Sequence, residues 1–188
     1  YSFTDKRNIK VADLLLHEAG LKAFIPFYRD LVDKQTKQWA DSTFATKADS
    51  NYTIPVAKNM YMMPKHLLNM WSVIAASERS NVGKYVYSDL DLMLLEKIVE
   101  RLSKDRLDYY VYDNFYKPLG LRRTFYNPWI LGLEAQCAPT EVDNYFRMQH
   151  IQGYVHDQTA AMLGGVAGHA GIFSTAREIG IIMQMLLN

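Results

Sequence analysis

The chain has 188 residues, of which 49% are hydrophobic and 22% are charged, and its formal net charge is +1. This balance is typical of a folded globular protein, and the lack of a basic excess argues against a nucleic-acid partner. The single cysteine, Cys137, excludes an internal disulfide, and no apolar run approaches the ~20 residues that cross a bilayer.

The first part of the chain predicts two helices joined by a long loop. The first helix is expected to end at Gly20, because glycine suits the left-handed conformation that follows many helices. The second helix begins at Pro64, where the missing N–H costs nothing. Residues 34–58 show no sustained period and predict a loop, with a short strand near Thr53 to Met62. The predicted apolar faces of the two helices are Val11, Leu14 and Leu15, and Leu67, Leu68, Trp71, Ile74 and Ala75.

A third helix is predicted to begin at Ser88. The Ser88 hydroxyl can cap the helix, and the carboxylates of Asp89 and Asp91 favour its positive end. Its buried face is predicted to comprise Leu94, Leu95, Ile98, Val99 and Leu102.

The rest of the chain predicts two more helices around an irregular region. One helix runs from Asp105 to Tyr116, residues 121–156 are irregular, and residues 164–171 form a glycine-rich loop. The last helix begins with a capping box formed by Thr175 and Glu178. The inward residues of these two helices are predicted to be Leu107, Tyr110, Val111 and Phe115, and Ile179, Ile182, Met183 and Leu186. The predicted fold class is therefore mainly α, with one or two short strands.

Tyr87 stands directly before the third helix, where the helix dipole stabilises an anion. A tyrosinate at this point could act as a general base. Tyrosine ordinarily titrates near pH 10, so a cation would be needed, and most tyrosines in this position are simply packed. The residues alone leave both interpretations open.

Four segments occur in the order seen in one hydrolase family. Tyr87-Ser88-Asp89 resembles the Tyr-x-Asn element of class C β-lactamases, D-amino acid peptidases and related esterases. The other three segments, at 13–21, 118–124 and 168–178, resemble the family's "DLLTHTSGL", "PLGM…T" and "GG-L-STA-DLA" elements. Residues 138–141, 153–157 and 168–171 resemble most closely a subgroup associated with bacterial cell-wall β-N-acetylglucosaminidases.

This resemblance implies the helical region of the α/β fold shared by serine β-lactamases and penicillin-binding proteins. It implies acyl transfer through a serine ester, on peptidoglycan peptides or related D-amino acid amides and esters, in the periplasm or cell envelope. Tyr87 would be the general base or its hydrogen-bond partner, Ser88 would hold the turn, and Asp89 would face the substrate. A peptidoglycan-derived peptide or a β-lactam-like molecule would be the ligand.

The chain departs from the family pattern at its most important motif. The family attacks with the serine of Ser-x-x-Lys, and none of the nine serines here has lysine three residues later. We therefore expect residues 1–188 to be an internal part of one domain, with the nucleophile segment before it and the remaining strands after it. Alone, this part is expected to be inactive. Asp89 also replaces the usual asparagine, and an ionised aspartate only accepts hydrogen bonds.

No metal site or cofactor is expected. His17-Glu18 lacks the second histidine of the zinc-protease motif, because position 21 is Leu21. The remaining candidates fit no standard ligand spacing. They are His150, His156, Asp157 and His169.

Two alternatives remain open from the sequence. The fold could serve as a non-catalytic module that binds cell-wall material or supports an attached glycosidase. The apolar stripe of the last helix also needs a covering partner, which the missing parts would supply in the whole domain. In this chain alone, a second copy in a homodimer would cover it, or the helices would repack among themselves.

Overall fold

A computed structural model describes residues 4–187. Ser2 and Asn188 therefore lie outside the described residues. Within them, the chain forms six α-helices and seven short strands. The helices are α1 (Val11–Leu15), α2 (Lys65–Ala76), α3 (Asp89–Ser103), α4 (Leu107–Val111), α5 (Gln158–Met162) and α6 (Ala176–Leu187). The strands are β1 (Phe44–Ala45), β2 (Ile54–Ala57), β3 (Met60–Met62), β4 (Phe125–Tyr126), β5 (Glu141–Asp143), β6 (Gln149–Ile151) and β7 (Ile172–Phe173).

The expected mainly α class is wrong. Among residues 4–187, the strands form a three-stranded sheet in the order β1-β3-β2 and two two-stranded sheets, β4-β7 and β5-β6, all antiparallel. The fold therefore mixes helices with small antiparallel sheets. Each strand has only two to four residues. Segments of this length are too short to show the alternation by which strands are recognised.

The predicted strand near Thr53 to Met62 is a hairpin of β2 and β3. Asn59 in its turn has φ of 54°, a left-handed conformation that asparagine tolerates better than most residues. Pro55 lies on the edge strand β2, and edge strands are where proline is tolerated in a sheet. The hairpin contributes Val56, Met60 and Met62 to one of two apolar clusters, which also contains Met70 and Phe146.

The predicted starts of α2 and α3 are confirmed, because Pro64 and Ser88 occupy the capping positions. Their buried faces differ from the prediction. Leu68 and Leu102 are 71% and 79% exposed, whereas the buried residues are Met70 and Ile74 on α2 and Leu90, Asp91, Met93 and Glu96 on α3. Leu94, Leu95 and Ile98 of the predicted α3 face are partly buried and pack against the cluster that contains Leu90 and Met93, so the prediction for α3 holds in part.

The first and fourth helices are shorter than predicted. The α1 helix ends at Leu15, with His17 rather than Gly20 first adopting a left-handed conformation, at φ of 54°. Of its predicted stripe only Leu14 is buried. After α4, the chain continues as one wider helical turn over Tyr112–Tyr116. This turn buries Tyr116 and leaves Phe115, predicted to face inward, 40% exposed.

Only half of the predicted capping box of α6 forms. The Glu178 N–H donates to the Thr175 hydroxyl over 3.4 Å. The Glu178 carboxylate instead accepts hydrogen bonds from the Thr124 hydroxyl and from the backbone N–H groups of Arg122 and Arg123. These bonds attach the start of α6 to the segment that leads into β4.

A buried arginine fixes the β5–β6 hairpin beside the start of α5. Arg147 is 1% exposed and donates to the carboxylates of Asp143 and Glu141. It also donates to the carbonyls of Val155 and His156 over 2.7 and 2.8 Å. These bonds hold the backbone immediately before Asp157. No helix within residues 4–187 has the length and apolar character needed to cross a bilayer.

Candidate active site

The Tyr87–Asp89 turn lies at the N-terminus of α3, as its sequence predicts. The Ser88 side chain is fully buried, and its hydroxyl accepts the Leu90 N–H over 3.2 Å. The same hydroxyl donates to the Lys22 carbonyl over 2.7 Å, while the Asp89 N–H donates to the Ala23 carbonyl over 2.8 Å. Ser88 therefore holds the turn against the segment that follows α1. Tyr87 remains 49% exposed and accessible to a ligand.

His17 and Asp91 form a second connection between α1 and the turn. His17 Nδ1 lies 3.0 Å from Asp91 Oδ2, and the Ser88 N–H donates to the same nitrogen over 3.3 Å. The Val86 N–H donates to the His17 carbonyl over 2.9 Å. The ring centroids of His17 and Tyr87 are 4.7 Å apart. Burial raises the pKa of Asp91, and its hydrogen bond with His17 opposes this rise.

The environment of Tyr87 favours the neutral phenol. Burial raises the pKa of Tyr87, and the negative charge of Asp89 and a hydrogen bond to Asp89 raise it further. Burial also raises the pKa of Asp89, which the nearby charge of Asp157 reinforces. The charges of His169 and His17 act in the opposite direction on Asp89. The named influences on Tyr87 all raise its pKa, so within the described residues they do not favour a phenolate near neutral pH.

Asp157 and His169 lie close enough to act electrostatically on Asp89. His169 Nε2 is 3.1 Å from Asp157 Oδ1, and the same oxygen accepts the Ala160 N–H and caps α5. The His169 side chain is 2% exposed. Burial opposes ionisation of Asp157, but the hydrogen bonds from His169 and Ala160 outweigh it and lower the pKa of Asp157.

The glycine-rich loop is fixed against α3, and this contact brings His169 towards the Tyr87–Asp89 turn. The Gly168 N–H donates to Glu96 Oε2 over 3.0 Å. A Cβ at Gly168 would lie only 2.2 Å from the Leu92 carbonyl oxygen, so this close approach requires glycine. The cluster therefore contains Tyr87, Asp89, His17, Asp91, Asp157 and His169.

A cleft of about 890 Å³ lies beside this cluster, and its walls include Phe125, His156, Ala170 and Ser174. Asp157 is the cluster residue among those that line it. The cleft therefore adjoins Asp157, whereas Tyr87 is not among its lining residues.

Sequence reasoning missed part of this cluster. The sequence assigns no site role to His17, Asp157 or His169 beyond their places in the family-like segments and as rejected metal ligands, and it treats Asp91 only as a charge at the helix end. One signal pointed to Asp91, because it precedes Leu94, Leu95 and Ile98 at helical spacing and so lies on an apolar face. A carboxylate there needs a polar partner. Within residues 4–187, no three His, Cys, Asp or Glu side chains are placed together to hold a metal ion.

Comparison with known proteins identifies sequence relatives along the whole chain. The family model described as Beta-lactamase matches residues 2–188. The chain is 32% identical over 195 residues to a protein of Escherichia coli (strain K12) named "Putative D-alanyl-D-alanine carboxypeptidase". It is 34% identical over 198 residues to the N-acetylmuramyl-L-alanine amidase of Bacillus subtilis (strain 168). Each match covers 97% of this chain but 39% of the relative.

One solved structure has a related fold. The penicillin-binding protein homologue from Pyrococcus abyssi, described as octameric, superposes with a TM-score of 0.55. The superposition covers 94% of this chain and 34% of that one, at 15% sequence identity. At this identity the likeness concerns the fold alone.

Proposed function

Because the chain belongs to the beta-lactamase family, we propose that it forms one wall of the active site of a serine hydrolase acting on peptidoglycan peptides or related D-amino acid amides and esters. The observation that supports this most strongly is the Tyr87–Asp89 turn. Buried contacts of Ser88 fix it, while Tyr87 stays accessible. A rigid turn with an exposed phenol is suited to positioning a group for proton transfer.

The nucleophile is proposed to come from polypeptide outside these 188 residues. None of the nine serines has a lysine three residues later, and the chain spans 39% of the length of the relatives described above. A serine without an activating base is a weak nucleophile. The 188-residue chain alone should therefore form no acyl-enzyme.

Tyr87 is proposed to act with the lysine of the missing motif. The raised pKa of Tyr87 opposes a free phenolate. An ammonium group brought next to the hydroxyl would lower this pKa, because an opposite charge favours the ionised form. Tyr87, ionised beside that ammonium, would accept the proton of the serine hydroxyl as the serine oxygen attacks the substrate carbonyl, and would then give it to the leaving group.

Asp89 is proposed to select a hydrogen-bond donor on the substrate. The side chain is partly buried at the start of α3, and an ionised carboxylate only accepts hydrogen bonds. An amide N–H or an ammonium group fits this requirement, and both occur in peptidoglycan peptides. The relatives named as a carboxypeptidase and an amidase agree with such a substrate and with a location in the cell envelope.

The test measures hydrolysis by the longer polypeptide that carries this chain. Its substrates are a peptide ending in D-Ala-D-Ala and N-acetylmuramyl-L-alanine. Tyr87→Phe should lower kcat by roughly 10²- to 10⁴-fold, the usual effect of losing a general acid–base group. Tyr109→Phe, at a 57% exposed position on α4, is the matched control and should leave kcat unchanged.

The same assay decides on the non-catalytic alternative. The absence of Ser-x-x-Lys from the 188 residues is the observation that favours that alternative. Saturable peptidoglycan binding with no hydrolysis of either substrate would support a binding module and reject the hydrolase.

A further inference from the structure

His17 is attached to the Tyr87 turn at three points. Its backbone carbonyl accepts the Val86 N–H, its Nδ1 accepts from or donates to Asp91, and its ring packs on the Tyr87 ring. The residue adopts φ of 54°, in the left-handed region that non-glycine residues rarely occupy. Because the His17 backbone is strained and its ring contacts Tyr87, we infer that His17 does more than pack.

His17 Nδ1 has two contacts, with the Ser88 N–H and with Asp91 Oδ2, and whether both can be hydrogen bonds depends on the protonation state. A protonated Nδ1 donates to an Asp91 carboxylate, and the Ser88 N–H then loses this acceptor. An unprotonated Nδ1 offers its lone pair to the Ser88 N–H and to a protonated Asp91. The two states differ by the transfer of one proton between Asp91 Oδ2 and His17 Nδ1, which lie 3.0 Å apart.

The surroundings of Asp91 favour the second state. Its side chain is 1% exposed, and its other oxygen, Oδ1, is buried without a hydrogen-bond partner. An ionised carboxylate with an unpaired, desolvated oxygen is costly, and the neutral acid is less so. The apolar neighbours Leu90 and Met93 belong to the cluster that surrounds the first turn of α3.

We propose that His17 and Asp91 form a positioning pair for Tyr87, in which Asp91 carries the proton and the unprotonated Nδ1 of His17 accepts the Ser88 N–H. This bond fixes the backbone immediately after Tyr87, while the imidazole ring packs at an angle of 47° against the phenol ring. The other ionisable groups that face the pair are Asp89 on α3 and the phenols of Tyr85 and Tyr87. The role of the pair in positioning Tyr87 rests on the proposed hydrolase function. The protonation state of His17 and Asp91 is independent of that function.

The first test reads the protonation state directly. Nitrogen-15 NMR of the 188-residue chain, with His17 assigned through the His17→Asn variant, should show a neutral ring at pH 7 with Nδ1 unprotonated. Asp91→Asn should keep this state, because the carboxamide N–H donates to Nδ1 as the neutral acid does. A His17 protonated on Nδ1 would overturn the proposal, as would an Asp91→Asn variant in which the proton moves to Nδ1.

The second test asks whether the pair positions Tyr87. In the longer polypeptide, His17→Ala should lower kcat about tenfold or more, since small misplacements of reacting groups have large effects. His17→Asn should restore most of the loss, because asparagine offers an oxygen near the position of Nδ1 and tolerates positive φ. Equal loss in both variants would reject the positioning role. An inactive wild-type polypeptide would reject the proposed function and leave the NMR result to decide on the pair.

Discussion

Ser88 Oγ donates a 2.7 Å hydrogen bond to the carbonyl of Lys22, a residue 66 positions earlier in the chain. The same oxygen caps α3 by accepting the Leu90 N–H. One buried hydroxyl therefore joins the segment after α1 to the helix that carries the candidate site.

Ser88→Ala removes both hydrogen bonds and leaves the Lys22 carbonyl and Leu90 N–H without these partners. Losing a helix cap costs about 1 kcal/mol, and an unsatisfied buried group adds about 1–3 kcal/mol. We expect a loss of roughly 2–4 kcal/mol in the free energy of unfolding, measured by urea denaturation. Ser72→Ala on the exposed face of α2 is the control and should change little. Equal effects of the two substitutions would contradict the role of Ser88.

Tyr87 in the 188-residue chain should stay neutral at pH 7. Burial and the carboxylate of Asp89 raise its pKa above the ordinary value of about 10. The difference in absorbance titration between wild type and Tyr87→Phe isolates this tyrosine from the other twelve of the thirteen. A phenolate appearing below about pH 8 would mean that a cation reaches Tyr87 within this chain.

Asp157→Asn should reduce stability in a pH-dependent way. The folded-state pKa of Asp157 is lowered, so the stability from its ionised form is fully present above the unfolded value of about 3.9. That contribution is lost as the pH falls through the lower folded-state pKa. The gap in unfolding free energy between wild type and variant should therefore shrink in acid, while asparagine still caps α5.

The matched control for Asp157→Asn is Asp113→Asn. In the wild type, Asp113 Oδ1 lies 3.9 Å from Lys117 Nζ, and both side chains are exposed. An exposed ion pair of this kind contributes little to the free energy of unfolding. The difference in that free energy between wild type and Asp113→Asn should therefore not depend on pH. If the difference in unfolding free energy between wild type and Asp157→Asn stayed constant from pH 2 to pH 6, the charge of Asp157 would not contribute to stability.

The local predictions from sequence succeeded where one short segment determines the structure. Ser88 caps α3 and Pro64 opens α2 because capping depends on the residue and its immediate neighbours. The β2–β3 hairpin was partly visible for the same reason. The family was also recognisable, because its motifs are local strings of residues.

Long-range pairing could not be predicted in the same way. His17 and Asp91 are 74 positions apart, and no periodicity indicates that a loop histidine meets a helix carboxylate. The Glu178 carboxylate crosses to Thr124 and Arg123 rather than completing its own capping box. Neither pairing is visible in a local sequence pattern, because both depend on which distant segments the fold brings together.

The apolar stripe of α6 is expected to be covered by a partner. Ile179, Met183 and Leu186 are 47%, 51% and 68% exposed. Contiguous apolar patches are rarely left open to water, and a two-fold contact with a second copy would cover this one. Sedimentation of the 188-residue chain at micromolar concentration should show a dimer, and Met183→Glu should make it monomeric.

The control for the dimer is Leu102→Glu, at a 79% exposed position on α3, which should leave the association unchanged. A wild-type chain that is strictly monomeric and binds no hydrophobic dye would show that α6 needs no partner.

The most direct measurement of the central claim locates the acyl group on the protein. The longer polypeptide and the 188-residue chain are each incubated with a fluorescent penicillin, digested, and mapped by mass spectrometry. We predict an adduct on a Ser-x-x-Lys serine outside residues 1–188, slower to form in Tyr87→Phe, and no adduct on the 188-residue chain. An acyl group on any of the nine serines of this chain, such as Ser88 or Ser174, would contradict the assignment of the Tyr87 turn to a site whose nucleophile lies elsewhere.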